Sequence, residues 1–171
     1  LSYFKNLGIN AIEIMPFSEF EGNSSWGYNP SFYFAPDKYY GTKEALKAFI
    51  DECHGNGIAV IMDMVFNHCG GNHFWIKDLP TENWVHQFPE FTRSNFRAET
   101  AMDPYASDFD RDRMMTGWFD KPMPDLNQHN EILAEYLIQN SIWWVEFAGL
   151  DGIRMDTYPY SYKDFMSKWM K

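Results

Sequence analysis

The chain has 171 residues, a formal net charge of −10, 45% hydrophobic residues and 22% charged residues. This length and balance are typical of one globular domain with a core of its own. The acidic balance, without any cluster of Lys and Arg, argues against a nucleic-acid partner. No apolar run approaches the ~20 residues that are needed to span a membrane.

Residues 1–68 alternate between helix and strand patterns, as parallel α/β proteins do. Residues 4–7 resemble the end of a helix, and a short apolar run predicts a strand at residues 11–15. Apolar residues at helical spacing predict a helix over residues 43–54, and a run rich in β-branched residues predicts a second strand at 58–65. Continuous apolar runs are typical of parallel strands that are covered on both faces.

Residues 69–128 break this alternation, because they are rich in Asp, Asn, Pro, Phe and Trp and show no clean periodicity. A connection of this length is far longer than the usual link between two elements of a compact domain. We therefore predict an inserted subdomain that stands over the ends of the strands.

Residues 129–171 return to the first pattern. An apolar stripe predicts a helix over 131–147, a third apolar run predicts a strand at 150–155, and residues 163–170 resemble the start of another helix. Strand–helix–strand units of this type have right-handed crossovers and a parallel sheet. The expected fold class is therefore α/β. Cys53 and Cys69 are too few for a disulfide framework and are predicted to be unpaired core thiols.

The third predicted strand carries a guanidinium and a carboxylate, Arg154 and Asp156. Side chains alternate between the faces of a strand, so both are expected to project from the same face. A neighbouring guanidinium favours the ionised carboxylate. An ionised carboxylate at the C-terminal end of a barrel strand is suited to be a nucleophile. An isolated pair of this kind is more often structural, so both interpretations stay open at this point.

The second predicted strand also ends in polar residues: Asp63 closes the apolar run, and Asn67 and His68 fall in the loop that follows. Taken singly, His68 is more often a surface or capping residue than a catalytic one. Polar side chains at the mouths of two strands nevertheless indicate one shared site.

Four segments of the chain stand out: WGYNPSFYFAP at 26–36, followed by YGT, DMVFNH at 63–68, MPDLN at 123–127 and GIRMD at 152–156. They resemble motifs of the alpha-amylase family of glycoside hydrolases, in the family's order and with compatible spacing. The resemblance implies a partial (β/α)8 TIM barrel that covers about the second to fourth strands. It also implies a domain B inserted after the third strand, so that residues 1–68 and 129–171 are barrel segments and 69–128 the insertion.

The resemblance implies a role for each matching residue. Asp156 would be the nucleophile that forms a glycosyl-enzyme intermediate, and Arg154 would keep it ionised and oriented. His68 would hydrogen-bond the sugar at the cleavage subsite, and Tyr28 would stack beneath that sugar. Asp63 would be structural support near Arg154.

The resemblance also makes calcium a candidate cofactor. Asn67 and Asp125 match positions that in many family members help to hold a calcium ion where domain B meets the barrel. Amide and carboxylate oxygens are suitable ligands for this cation. No organic cofactor is expected.

The implied function is hydrolysis of α-glucosidic bonds in starch-like glucans or maltooligosaccharides. The MPDLN segment, and Pro159 and Tyr160 in place of a Lys-His pair common in amylases, favour a neopullulanase-like or amylase-like endo-enzyme with α-1,4 and some α-1,6 action. Trp75, Trp84 and Trp118 are candidates for an outer sugar subsite, because aromatic rings stack on pyranoses.

Three alternatives remain. A transglycosylase of the same family, such as a branching enzyme, shares the covalent intermediate. A non-catalytic amylase-like partner domain commonly loses the nucleophile or its Arg, and both are present here. A carbohydrate-binding module leaves the ordered motifs unexplained. Secreted, periplasmic and cytoplasmic locations are all compatible with the sequence.

One catalytic group that the mechanism needs is missing. A retaining glycosidase uses two carboxyl groups about 5–5.5 Å apart, and the family's general acid is a Glu on the fifth strand. No Glu follows Glu146, and no first strand is visible. We therefore expect this chain to be a fragment of a longer enzyme and inactive alone. Three strands of eight leave open sheet edges, which predicts self-association.

Overall fold

The computed structural model describes residues 1–22, 25–87 and 89–171. Two 3₁₀ turns, η1 (Ala98–Ala101) and η2 (Tyr158–Tyr160), accompany the regular elements. In chain order the helices and strands are α1 (Ser2–Asn6), β1 (Ala11–Ile14), β2 (Ser18–Phe20), β3 (Pro30–Pro36), α2 (Lys43–Gly55), β4 (Ala59–Val65), α3 (Phe74–Lys77), α4 (Asp108–Thr116), α5 (Glu131–Ala148), β5 (Gly152–Asp156) and α6 (Lys163–Trp169).

A three-stranded parallel sheet forms the centre of the molecule, in the order β1-β4-β5. All its pairings are parallel, as the helices between the strands require. In the register of β4 with β5, Asp63 lies opposite Arg154, and Val65 lies opposite Asp156. The parallel α/β arrangement agrees with the sequence prediction.

The strand β5 begins two residues later than predicted, at Gly152. Gly149 adopts φ 78° and ends α5 in a left-handed cap. Asp151 then serves as a side-chain acceptor, because its Oδ2 receives hydrogen bonds from the backbone N–H of Val60 at 2.7 Å and from His54 Nε2 at 2.8 Å. The apolar run therefore starts with a buried Leu150 that packs in the core but does not join the sheet.

An antiparallel hairpin of β2 and β3, which the sequence prediction did not include, packs against α5. The carbonyl oxygen of Tyr33 in β3 accepts hydrogen bonds from Asn140 Nδ2 and Trp144 Nε1 of α5, both at 2.9 Å. Tyr33 is buried, and its hydroxyl donates to the carbonyl oxygen of His68 at 3.1 Å. The hairpin therefore fixes the loop that follows β4.

The core lies between the sheet, α2 and α5. Ile50 of α2, Val60 and Met62 of β4, and Leu137 and Trp144 of α5 are fully buried. Burial of one such aliphatic side chain contributes about 1.5–3 kcal/mol to folding.

Both cysteines, Cys53 and Cys69, are buried free thiols, as predicted. Among the described residues, no helix is long and apolar enough to cross a membrane.

The segment between β4 and α5 is irregular, and within residues 69–87 and 89–124 it has short helices and isolated bridges but no regular strand. His68 forms an antiparallel bridge with Asp125, so the two ends of this segment meet. Trp75, Trp84 and Trp118 are only 3%, 3% and 6% exposed. The expectation that they form an outer sugar subsite is therefore wrong, because their rings fill the core of the segment. The division at residues 68 and 128 stays a prediction.

Candidate active site

Arg154 joins two carboxylates at the C-terminal ends of β4 and β5. Its Nη1 donates to Asp63 Oδ2 at 2.7 Å and to Asp156 Oδ1 at 2.6 Å. The parallel register makes this geometry possible, because Asp63 lies directly across from Arg154 while Asp156 lies two residues further on the same strand face. Hydrogen bonds to Asp63 and Asp156 raise the pKa of Arg154 above its usual value, so the guanidinium is charged at every accessible pH.

Asp156 keeps one oxygen available. Its Oδ1 is bound by Arg154, whereas Oδ2 accepts no hydrogen bond from the described residues. The side chain is 20% exposed, so this oxygen faces an accessible space. A carboxylate that is oriented by a cation on one oxygen and open at the other has the geometry of a nucleophile.

Asp63 lies deeper in the site and is 1% exposed. Burial raises the pKa of its carboxyl group, while hydrogen bonds from Tyr28 and Arg154 oppose that rise. The hydroxyl of Tyr28 donates to Asp63 Oδ2 at 2.7 Å, the same oxygen that Arg154 binds. Burial, with the hydrogen bond to Asp63, raises the pKa of Tyr28 to about 12, so the hydroxyl remains a donor. Tyr28, Asp63, Arg154 and Asp156 thus form one hydrogen-bonded chain.

His68 is held on both sides by the protein. It is 1% exposed, and its Nε2 donates to the carbonyl oxygen of Tyr28 at 2.8 Å. Burial lowers the pKa of His68 to about 4, so the ring is neutral near pH 7 and carries its single proton on Nε2. In this structure His68 fixes the backbone of Tyr28, and its hydrogen bond to a sugar stays a prediction.

The tautomer of His68 determines the orientation of Asn67. With its proton on Nε2, His68 has an acceptor at Nδ1, which receives a hydrogen bond from Asn67 Nδ2 at 3.1 Å. The Asn67 oxygen then faces Asp125 Oδ1 and the carbonyl oxygen of Tyr160, both at 3.3 Å. Turning the amide over would place its nitrogen there, but it would require a proton on both nitrogens of a buried His68. Three oxygens from Asn67, Asp125 and Tyr160 therefore converge.

Asp125 is the only one of these three groups that ionises. Burial raises its pKa to about 7, and the neighbouring His86 opposes the shift, because His86 Nδ1 donates to Asp125 Oδ2 at 2.7 Å. The three oxygens are compatible either with a proton on Asp125 or with a bound cation between them. Among the described residues, no group of three or more His, Cys, Asp or Glu side chains could hold a metal ion by itself. A cation here would depend on the amide and carbonyl oxygens.

Two residues that the site includes were not singled out as site residues from the sequence. Phe119, from the irregular segment, stacks on His68 with ring centroids 5.4 Å apart and planes 24° apart. Tyr160, four residues after the carboxylate on β5, turns its carbonyl oxygen towards Asn67. No local pattern marks Phe119, and the only signal at Tyr160 was its departure from the Lys-His pair.

The fold and the site together define a class of protein. A parallel sheet with an ion-paired carboxylate at the C-terminal end of a strand is the arrangement of barrel and related α/β enzymes. A family model described as alpha amylase, catalytic domain, matches residues 1–168. The chain belongs to the alpha-amylase family.

Comparisons with individual proteins agree with this family. The malto-oligosyltrehalose trehalohydrolase of Deinococcus radiodurans is 29% identical over 164 residues, which cover 96% of this chain and 22% of that protein. The maltogenic alpha-amylase of Bacillus acidopullulyticus is 33% identical over 165 residues, which cover 91% of this chain and 25% of that protein. The chain thus spans about a quarter of the length of these relatives.

A solved structure gives the same fold. The alpha-amylase from Geobacillus thermoleovorans, crystallised with acarbose, has a TM-score of 0.82 and 29% identity. The match covers 98% of this chain and 34% of that chain. The predicted fold class, an α/β part of a (β/α)8 barrel, is confirmed.

Proposed function

We propose that this chain carries the nucleophile of a retaining glycoside hydrolase that acts on α-linked glucans. The observation that carries this proposal is the arrangement around Arg154, which binds Asp156 Oδ1 and leaves Oδ2 open. The relatives' names support the substrate class, since one is a malto-oligosyltrehalose trehalohydrolase and the other a maltogenic alpha-amylase.

The proposed reaction has two steps. In the first, Asp156 Oδ2 forms a bond to the anomeric carbon while the glycosidic bond breaks, and the departing oxygen takes a proton from a general acid. In the second, water attacks the same carbon and gives a proton to that same group, which now acts as the base, while the bond to Asp156 breaks. Arg154 holds the carboxylate by Oδ1 and keeps Oδ2 aimed at the sugar throughout. Asp63 accepts hydrogen bonds from Arg154 and Tyr28 at the same oxygen, Oδ2, so it is unsuited to donate the proton to the departing oxygen.

We propose that the general acid comes from polypeptide outside these residues. The sequence has no Glu between Asp156 and Lys171, and the chain spans only 22% to 25% of the two relatives described above. The isolated chain is then expected to be inactive, although it contains the nucleophile. The full-length enzyme that carries this sequence is expected to be active.

The test compares that full-length enzyme with its Asp156→Asn variant on starch, pullulan and a cyclodextrin, with release of reducing ends as the readout. We expect activity to fall by at least about a thousandfold in the variant, because an amide is a very poor nucleophile. Asp51→Asn is the matched control, since Asp51 is an exposed carboxylate on α2. Full activity in Asp156→Asn would refute the assignment of the nucleophile.

The same assay separates the finer alternatives. Cleavage of pullulan and cyclodextrins would favour the neopullulanase-like specificity with α-1,4 and α-1,6 action. Longer products from maltooligosaccharides would favour the transglycosylase, because a sugar hydroxyl then replaces water in the second step. Glucan binding without any release that depends on Asp156 would favour a non-catalytic domain.

We also propose a calcium ion at the oxygens of Asn67, Asp125 and the Tyr160 carbonyl. Amide, carboxylate and carbonyl oxygens are the ligand types that calcium takes, and further ligands would come from water. The orientation of Asn67 imposed by His68 supports this choice, because it leaves three oxygens facing each other. A bound cation would tie the irregular segment to the turn that follows Asp156.

A further inference from the structure

A small cavity lies beside Asp63, between β4, the β2–β3 hairpin and α5. Its volume is about 10 Å³, which is about the space that one water molecule requires. The residues that line it include Ser18 of β2, Asp63 of β4 and Asn140 of α5. Ser18 is 6% exposed, and Asp63 and Asn140 are each 1% exposed. These three polar side chains therefore face an interior space and not the bulk solvent.

The hydrogen bonds of Asp63 use only one of its two oxygens. The hydroxyl of Tyr28 and Nη1 of Arg154 both donate to Oδ2, each at 2.7 Å. Oδ1 is buried and accepts no hydrogen bond from the described residues. A buried carboxylate oxygen without a donor is unfavourable, and an ordered water molecule is a common partner for such an atom.

Two further polar groups at the cavity are available to a ligand. Asn140 Nδ2 donates to the carbonyl oxygen of Tyr33 at 2.9 Å. This bond fixes the orientation of the amide, because a carbonyl oxygen can only accept. Asn140 Oδ1 then remains as an acceptor that no described residue binds. The Ser18 hydroxyl, at the same cavity, makes no hydrogen bond with the described residues and can donate one.

These three groups match the hydrogen-bonding capacity of one water molecule, which can donate twice and accept from a hydroxyl. Buried water molecules typically make about three hydrogen bonds of this kind. We propose that one ordered water molecule occupies the cavity, donates to Asp63 Oδ1 and Asn140 Oδ1, and accepts from the Ser18 hydroxyl. Ser18 and Asn140 are then positioning residues that act on Arg154 through Asp63. The effect on activity rests on the proposed function, whereas the site of the water does not.

The water supports Asp63 as an ionised partner of Arg154. Burial raises the pKa of the Asp63 carboxyl group, hydrogen bonds from Tyr28 and Arg154 oppose that rise, and the negative charge of Asp156 adds to it. Apart from Asp63, none of the described residues that line the cavity is charged. A water molecule that donates to Oδ1 favours the ionised carboxylate. Its loss is therefore expected to raise the pKa of Asp63 further and to weaken the hold on Arg154 at acidic pH.

The first measurement is a high-resolution crystal structure of the full-length enzyme, which requires no activity. We expect a single water peak at about 2.6–3.2 Å from Asp63 Oδ1, Asn140 Oδ1 and Ser18 Oγ. In Ser18→Val we expect the peak to disappear, because the substitution removes the donor and fills the space. An unoccupied cavity in the parent enzyme, or an ion at this place, would overturn the proposal.

The second measurement is the pH profile of kcat/KM on maltoheptaose for the same full-length proteins. In Ser18→Val we expect the acidic limb to move to higher pH, with a loss of about threefold or more on the acidic side and at most about twofold at the optimum. Ser18→Ala keeps the space for the water and should give a smaller shift. A uniform loss at every pH, or no change in Ser18→Val, would overturn the positioning role.

The matched control is Ser31→Val, in β3 of the same hairpin. The Ser31 hydroxyl donates to the carbonyl oxygen of Glu19 at 3.2 Å and does not line the cavity. Its substitution is expected to leave the pH profile unchanged. Failure of the proposed function looks different: the parent enzyme would be inactive, or Asp156→Asn would be as active as the parent, whatever the crystal structure shows in the cavity.

Discussion

Arg154 places one nitrogen between two carboxylates, which makes it the residue on which the geometry of the site depends. Asp63 and Asp156 are held at 2.7 Å and 2.6 Å by the same Nη1. Without the guanidinium, two negative charges would face each other, one of them buried, and a buried unpaired charge is strongly unfavourable.

Asp125 gives the clearest pH dependence at the residue scale. Its pKa in the folded protein is about 7, above the usual value of 3.8. Between about pH 4 and about pH 7 the folded state therefore holds a proton that the unfolded state has lost, so the contribution of Asp125 to the free energy of unfolding falls as pH rises. In Asp125→Asn this fall is absent, because the amide can donate to the Asn67 oxygen at every pH.

The measurement is urea unfolding of the unsubstituted parent chain and of Asp125→Asn from about pH 4 to about pH 8, with a chelator or with millimolar calcium. Without calcium, we expect the variant to gain stability relative to the parent as pH rises. At about pH 8, calcium is expected to stabilise the parent but not the variant. Equal stabilisation of both by calcium would remove Asp125 from the cation site.

For single residues, the sequence predicted which side chains share one face of a strand. It did not predict which side chains from distant segments make contact. The period of two along β5 places Arg154 and Asp156 on one face without knowledge of the fold. The bond between Tyr28 and Asp63 spans 35 residues, and the contact of Phe119 with His68 depends on the path of an irregular segment. Neither follows from a local pattern. The burial of Trp75 follows from packing that composition does not encode.

Among the elements, α5 is tied to the irregular segment through its N-cap residue, Asn130, which precedes Glu131. Asn130 Oδ1 accepts hydrogen bonds from the N–H groups of Ile132 and Leu133, both at 3.1 Å. Its Nδ2 donates to Thr81 Oγ1 at 3.0 Å and to Asn83 Oδ1 at 2.9 Å. One buried side chain thus caps a helix and holds the irregular segment.

We expect Asn130→Ala to lower the free energy of unfolding by about 1–2 kcal/mol, because the cap and two further hydrogen bonds are lost. Asn130→Asp keeps the acceptor for the helix but loses the donors to Thr81 and Asn83. It should therefore recover part of the loss. Denaturant unfolding of the three proteins is the measurement, and equal stability of Asn130→Ala and the parent would contradict the capping role.

The helices α2 and α5 and the parallel strands were predictable, because their apolar residues form clear stripes or runs. The stripe of α5 and the apolar run of β4 are examples, and the predicted bounds differ by one residue at one end of each. The helices α3 and α4 were not predicted, because the irregular segment shows no clean periodicity. The β2–β3 hairpin was missed, because β2 has three residues and β3 both starts and ends in proline. Its register is also irregular, which weakens any alternation that a sequence pattern would reveal.

On the scale of the whole molecule, the outer strands of the sheet are the least protected part. Among the described residues, β1 and β5 pair only with β4, so each presents one edge of unpaired backbone groups. In the isolated chain we expect these edges to pair with other copies. A concentration series in sedimentation experiments is expected to show species heavier than the monomer.

Hydrogen exchange tests whether the association involves the edges of β1 and β5, with β4 as the internal control. In the isolated chain at low concentration, amides of β1 and β5 are expected to exchange faster than those of β4, which is paired on both sides. Higher concentration should slow exchange in β1 or β5 and leave β4 unchanged. A monomer at all concentrations, with equal protection of the three strands, would exclude association through the edges.

The bridge between His68 and Asp125 brings the two ends of a long excursion of the chain to neighbouring positions. The strand β4 and the helix α5 can therefore keep their places while the length of the segment between them changes, provided that this bridge and the hydrogen bonds of Asn130 to Thr81 and Asn83 are kept. Such an arrangement permits grafting, in which the irregular segment is replaced by that of a relative, joined at these two points. The graft is expected to change the residues of the irregular segment near the site while Asp156 stays in place on β5. Substrate preference and reaction chemistry can thus diverge separately in descendants of one barrel.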